Sequence, residues 1–179
     1  MLESVSRWLR RYQGIESNQV YRLAVDVASG RRTMERALLA VQSYQVTAKL
    51  ADGDLLDMDQ IVEQVAGQDL RFARILAALN AEAARVKSFE KVLVDLLLRC
   101  AELARVDGDV QAQETASKLA LDTARGIVYV SGQRRALNLL ARIALDMGDT
   151  ADAQALLFEQ LTTGREEADT REDVRTAML

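Results

Sequence analysis

Any chemistry in this chain has to be done without histidine, because none occurs among its 179 residues. That removes the commonest general base, the commonest metal ligand and the physiological pH switch. Ser–His and Cys–His nucleophile pairs are excluded, as is the Glu-x-x-His motif of di-iron bundles. Carboxylate, lysine, tyrosine and backbone chemistry remain. The single Cys100 cannot close an internal disulfide. It follows Leu93, Leu96 and Leu97 at helical spacing and reads as a core residue suited to a reducing cytosol.

Two groups of carboxylates invite a metal. Asp52, Asp54 and Glu63 stand at positions 1, 3 and 12 of an EF-hand loop, with Asp57 and Asp59 nearby. Position 5 is Leu56, however, and position 6 is Asp57 where a calcium loop needs glycine. These acids read instead as residues favoured at a helix N-terminus. Glu166, Glu167, Glu172 and Asp173 resemble the acidic helices of metal-dependent nucleotide pyrophosphohydrolases, but the spacing of that family's pairs is not met. They read as a solvated tail, with Glu167 and Arg171 as an i,i+4 pair. The expectation is therefore a non-catalytic protein with no cofactor and no metal.

Arginine outnumbers lysine 19 to 4. Its planar fork suits carboxylates and phosphates. Arg31, Arg32 and Arg36 form one basic cluster. Arg99, Arg134, Arg135, Asn138 and Arg142 form the candidate partner-binding set. They point away from the Leu/Ala faces of their helices and suit a segment that mixes acidic and apolar residues. The net charge is −4, which disfavours non-specific binding to nucleic acid. A DNA-binding regulator is the alternative reading. Residues 57–76 resemble a helix-turn-helix, with Gly67 in the turn and Arg71 and Arg74 on the second helix. Against it, Glu63 stands where a small residue belongs, Gln68 follows the glycine, and the neighbouring acids repel phosphate. Trp8, with Leu2, Val5, Leu9 and Tyr12, lies on a short amphipathic helix with a basic side. That helix either caps the bundle or docks on a partner or an anionic membrane.

The elements that position these residues are helices. There is no proline, and only 9 glycines interrupt a chain that is 49% apolar. This disfavours sandwiches and barrels rich in tight turns. Apolar spacing predicts helices at 3–12, 18–29 and 33–50, the last capped by Thr33 and stopped by Gly53. Asp57 and Gln60 form a capping-box pair flanked by Leu56 and Ile61, which starts the next helix at Asp57. Further helices are expected from Asp69, Ser88, Asp109, about residue 133, and Asp149. Ile127 to Val130 is β-like, but a lone strand has nothing to pair with, so it reads as the first turns of the next helix or its lead-in. No apolar run is long enough to span a bilayer, and residues 1–12, which have no continuous apolar core, do not read as a secretory signal.

One pattern occurs twice at a regular spacing. Leu97, Ala101, Ala104, Gly108 and Asp109 recur as Leu137, Ala141, Ala144, Gly148 and Asp149. Leu and both Ala share a helical face at i, i+4 and i+7. The glycine ends one helix in a left-handed conformation, and the aspartate caps the next. Each copy is a helix hairpin whose alanines admit close approach. Residues 137–161 resemble a tetratricopeptide repeat through Leu137, Ala141, Ala144, Gly148, Ala153 and Leu157. Residues 97–120 resemble it less closely, since Gln113 stands where a small residue belongs.

The resemblance implies a protein that binds peptides or partner helices. The expected fold is all-α, with about eight to nine helices in antiparallel hairpins. These would form either a TPR-like right-handed array or an irregular bundle. Residues 1–163 make one domain and 164–179 a charged, frayed or weakly helical tail. The expected function is a cytoplasmic protein–protein interaction module, such as an adaptor, a chaperone-like factor or a regulatory subunit, with homodimerisation as an addition.

Overall fold

The computed structural model describes the backbone of residues 18–177 except 49, and the side chains of residues 18–163 except 44, 45 and 49. Among the described residues the chain is helical with no strand, in agreement with the all-α expectation. Nine helices follow one another there: α1 (Gln19–Ala28), α2 (Met34–Val41), α3 (Tyr44–Thr47), α4 (Asp52–Ala66), α5 (Leu70–Val86), α6 (Glu90–Val106), α7 (Val110–Gly126), α8 (Val130–Asp146) and α9 (Thr150–Ala177). The helix expected at 3–12, and Trp8 with it, lies outside the described residues.

From α5 onward the chain keeps an even beat, with helices starting at Leu70, Glu90, Val110, Val130 and Thr150. Helices α5 to α8 are of equal length and are joined by equally short turns. The last four of these turns share one construction. The residue before the N-cap sits in the left-handed region at Ser88 (φ 55°), Gly108 (75°), Val128 (55°) and Gly148 (80°). The N–H of the N-cap then donates back into the preceding helix, to the carbonyls of Ala84, Ala104, Ala124 and Ala144. The N-caps alternate in chemistry. The carboxylates of Asp69, Asp109 and Asp149 accept from Phe72, Ala112 and Asp152 N–H at 2.9, 3.0 and 3.0 Å. Phe89 and Tyr129 make no side-chain cap bond. The repeat seen in the sequence is thus two helices of equal length with different caps.

Each helix from α4 onward packs on its neighbour in sequence; α6 also touches α4 on one side and α8 on the other. Helices α5, α7 and α9 form a second row, bridged by arginines: Arg74 reaches Asp107 and Asp109, and Arg125 reaches Glu159. Helices α1 and α2 pack against α5. Between the rows lies a core that includes Leu55, Met58, Leu76, Leu96, Leu98 and Leu137. The repeated alanines Ala101, Ala104, Ala141 and Ala144 are all buried. Gly132 is buried as well. A Cβ there would meet the Tyr129 ring at 2.6 Å and Val94 Cγ1 at 2.7 Å, so the hydrogen lets Tyr129 fold against α6.

Some expected helix boundaries are corrected. The helix from Thr33 stops at Val41, where Ser43 donates both its N–H and its hydroxyl to the carbonyl of Ala40 and so competes with helix continuation. Helix α4 starts at Asp52, ahead of Asp57, because the Asp54 carboxylate accepts the Ala51 N–H at 2.8 Å. Asp57 is therefore interior to the helix, and Gly53 opens α4 instead of stopping the preceding helix. Residues 127–130 are, as expected, the lead-in to α8: a turn around left-handed Val128, with Val130 opening the helix. Helix α9 continues through Gly164 to Ala177.

Candidate functional site

The α4–α6–α8 row carries a groove of about 570 Å³. Its floor is apolar: Ala66 from α4, Leu103 and Val106 from α6, and Leu139 from α8. Its walls are polar. All five residues of the sequence-derived set line it: Arg99 from α6, and Arg134, Arg135, Asn138 and Arg142 from α8. The hairpin period explains why residues so far apart in sequence converge. It places Leu97 and Leu137 in the core and turns the positions beside them onto the same outer face of the row.

The five differ in what they can offer. Arg99 is committed to the protein itself: it meets Asp59 at 3.2 Å, and Glu63 and Glu102 at 3.4 Å. Burial works against its charge, but the bond to Asp59 and the surrounding carboxylates outweigh it and hold its pKa above the ordinary value. Arg135 is likewise held by Asp95 at 2.8 Å. Its carboxylate partner lies one repeat earlier, on α6. Arg134 and Arg142 have no carboxylate within ion-pair distance among the described residues. With Asn138 they make an i, i+4, i+8 stripe along α8. Arg105, at the far wall, is exposed and likewise unpaired among the described residues. Sequence reasoning missed it.

The pairs Asp59–Arg99 and Asp95–Arg135 each join residues 40 apart. Opposite charges one full period apart are a signal that the sequence carries once the period is known. They mark the arginines that hold the row together, and by elimination those left for a ligand.

The other candidates fare differently. Asp52 and Glu63 lie near opposite ends of one helix, which separates them by about 16 Å along the axis. They cannot close on one ion. Among the described residues no group of three or more His, Cys, Asp or Glu is placed to hold a metal. Residues 57–76 fall on α4 and α5, which pack on each other, and the Asn80 amide ties them together by donating to the Leu55 carbonyl at 2.9 Å. Arg74 is bound by Asp109 and Asp107, which raise its pKa against the opposing effect of burial. Only Arg71 of the two basic residues is then uncommitted among the described residues. Arg31 pairs with Asp26 at 2.8 Å. Burial, first of all, pushes the Cys100 thiol up to about 12, which makes it a poor nucleophile. Among the described residues no helix is long and apolar enough to cross a membrane.

Comparison of the chain with protein-family models, with curated proteins and with solved structures found no match.

Proposed function

We propose that this protein is a non-catalytic binding module that captures a protein or peptide segment in the α4–α6–α8 groove. The observation that carries this reading is the stripe Arg134–Asn138–Arg142. It stands uncommitted above an apolar floor, while the neighbouring Arg99 and Arg135 are neutralised by the protein itself. A segment with carboxylates spaced to meet the stripe and apolar side chains to cover Val106 and Leu139 suits both features. Arginine binds such carboxylates in a fork. The tetratricopeptide-like hairpins support the same class of role, and a lone, half-buried Cys100 suits a reducing cytosol.

The test is a titration of fluorescein-labelled peptides that mix glutamate and leucine, followed by polarisation. Charge-assisted bonds contribute about 1.5–3 kcal/mol each, so Arg134→Glu with Arg142→Glu should weaken binding by roughly 100-fold or more. The melting temperature should hold, since neither side chain has a carboxylate partner among the described residues. Undiminished capture by the folded double variant would place the site elsewhere. Duplex DNA binding with a steep salt dependence would favour the regulator reading instead.

A further inference from the structure

Helix α9 presents, uncovered, the positions that its row buries elsewhere. Shifting α9 back by one hairpin and by two aligns Leu157 with Ser117 and Ala77, and Leu161 with Leu121 and Ala81. On α5 and α7 these four residues are buried. On α9, Leu157 is 37% exposed and Leu161 is 65% exposed. Beside them Phe158 is 69% exposed, where α7 carries the exposed Lys118. The cause is a missing turn. Helices α5 to α8 each turn back at the same length, after Val86, Val106, Gly126 and Asp146, whereas α9 runs straight through residues 166–169 to Ala177. Among the described residues, no helix takes the place of an antiparallel neighbour following α9.

We propose that a second copy of α9 fills this place, so that the protein self-associates through an antiparallel α9–α9 contact about a two-fold axis. Three observations point to a copy of the same chain. The array is built from antiparallel neighbours, and a two-fold axis across α9 supplies one with the same side chains on both sides. The stretch from Ala153 to Gly164 contains one charged residue, Glu159, and Arg125 of α7 draws it away from this face. A chain of net charge −4 meets its own copy with least repulsion across such an uncharged strip. The face has also gained bulk: Ala77 and Ser117 give way to Leu157 at the position in question.

The test is sedimentation velocity on the full chain from about 1 µM to about 1 mM, the range that brackets weak association. The mass should rise from 19.8 kDa towards twice that value. Phe158→Lys reproduces the residue that α7 already carries at this register, so the fold should hold. Combined with Leu161→Glu it should move the dimerisation midpoint at least tenfold higher, with unchanged far-UV circular dichroism. A mass that stays at 19.8 kDa throughout would overturn the proposal. So would a dimer indifferent to both substitutions, including one abolished by Trp8→Glu, which would place the contact on the N-terminal segment.

Discussion

Val128 occupies a backbone conformation made for glycine, and replacing it should stabilise the protein. Its φ is 55°, a genuine outlier for a β-branched residue. The turn has the same bonds as the Gly148 turn: Val128 N–H donates to the Arg125 carbonyl at 3.2 Å and Tyr129 N–H to that of Ala124 at 2.8 Å. Strain of this kind costs about 1–3 kcal/mol. Two terms oppose its release in Val128→Gly. Glycine has a more mobile unfolded chain, worth about 0.4–1 kcal/mol. The valine side chain is 77% exposed, so its removal sacrifices only about 0.5 kcal/mol of burial. The net expectation is a gain of about 1 kcal/mol, or roughly 2–4 °C in Tm for a chain of this size. Thermal and urea unfolding followed by far-UV circular dichroism would measure it. The reverse exchange, Gly148→Val, should cost about 1–3 kcal/mol through the same strain. A Val128→Gly variant that melts below wild type, beside a Gly148→Val variant that melts with it, would refute the reasoning.

Gly132→Ala should destabilise although alanine is the better helix former by about 1 kcal/mol, because its Cβ would lie 2.6 Å from the Tyr129 ring and 2.7 Å from Val94; a raised Tm would show that both side chains yield freely. The Ser117 hydroxyl is buried without a hydrogen-bond partner among the described residues, so Ser117→Ala should raise stability by about 1 kcal/mol, read as a higher urea midpoint. Asp109 is held below its usual 3.8 by Arg74 and by the Ala112 N–H. A depressed folded pKa gives stability that is present above 3.8 and lost as pH falls through the lower folded value. The wild-type Tm should therefore fall below that pH, while Asp109→Asn, which keeps the cap, should start lower and converge with wild type in acid; parallel curves would disprove the pair.

The sequence made the helices of the second half legible because two independent signals agree there. Leu97, Ala101 and Ala104 define a face, and Gly108 with Asp109 ends it and starts the next helix. The finer beat of single helices was hidden because its markers alternate. The left-handed position is glycine at 108 and 148 but Ser88 and Val128 in the other turns. The cap is Asp69, Asp109 and Asp149 in one set and aromatic at Phe89 and Tyr129 in the other. A strong local signal also misled. Asp57 and Gln60 have capping-box spacing, yet Asp54 captures the chain at Ala51 and the tertiary packing of Leu55 and Met58 extends α4 over it. The groove residues could be chosen from the outward faces of two helices. Their division into committed and free arginines could not, because it depends on how α4, α6 and α8 stack.

The alternation of caps sets the unit in which this array can grow or shrink. Inserting or deleting a single helix with its turn would keep every remaining helix at its proper length. It would nonetheless bring an aromatic cap to the end of the molecule where aspartate belongs, and would leave Asp59 and Asp95 facing the wrong row. Changing the chain by a whole hairpin preserves cap chemistry, row and the two charge rungs together. Stability in stacked arrays is approximately a sum over neighbours. A duplicated hairpin would then add its own contribution at a seam indistinguishable from the existing ones. Length variation in descendants of this chain should accordingly come in whole hairpins.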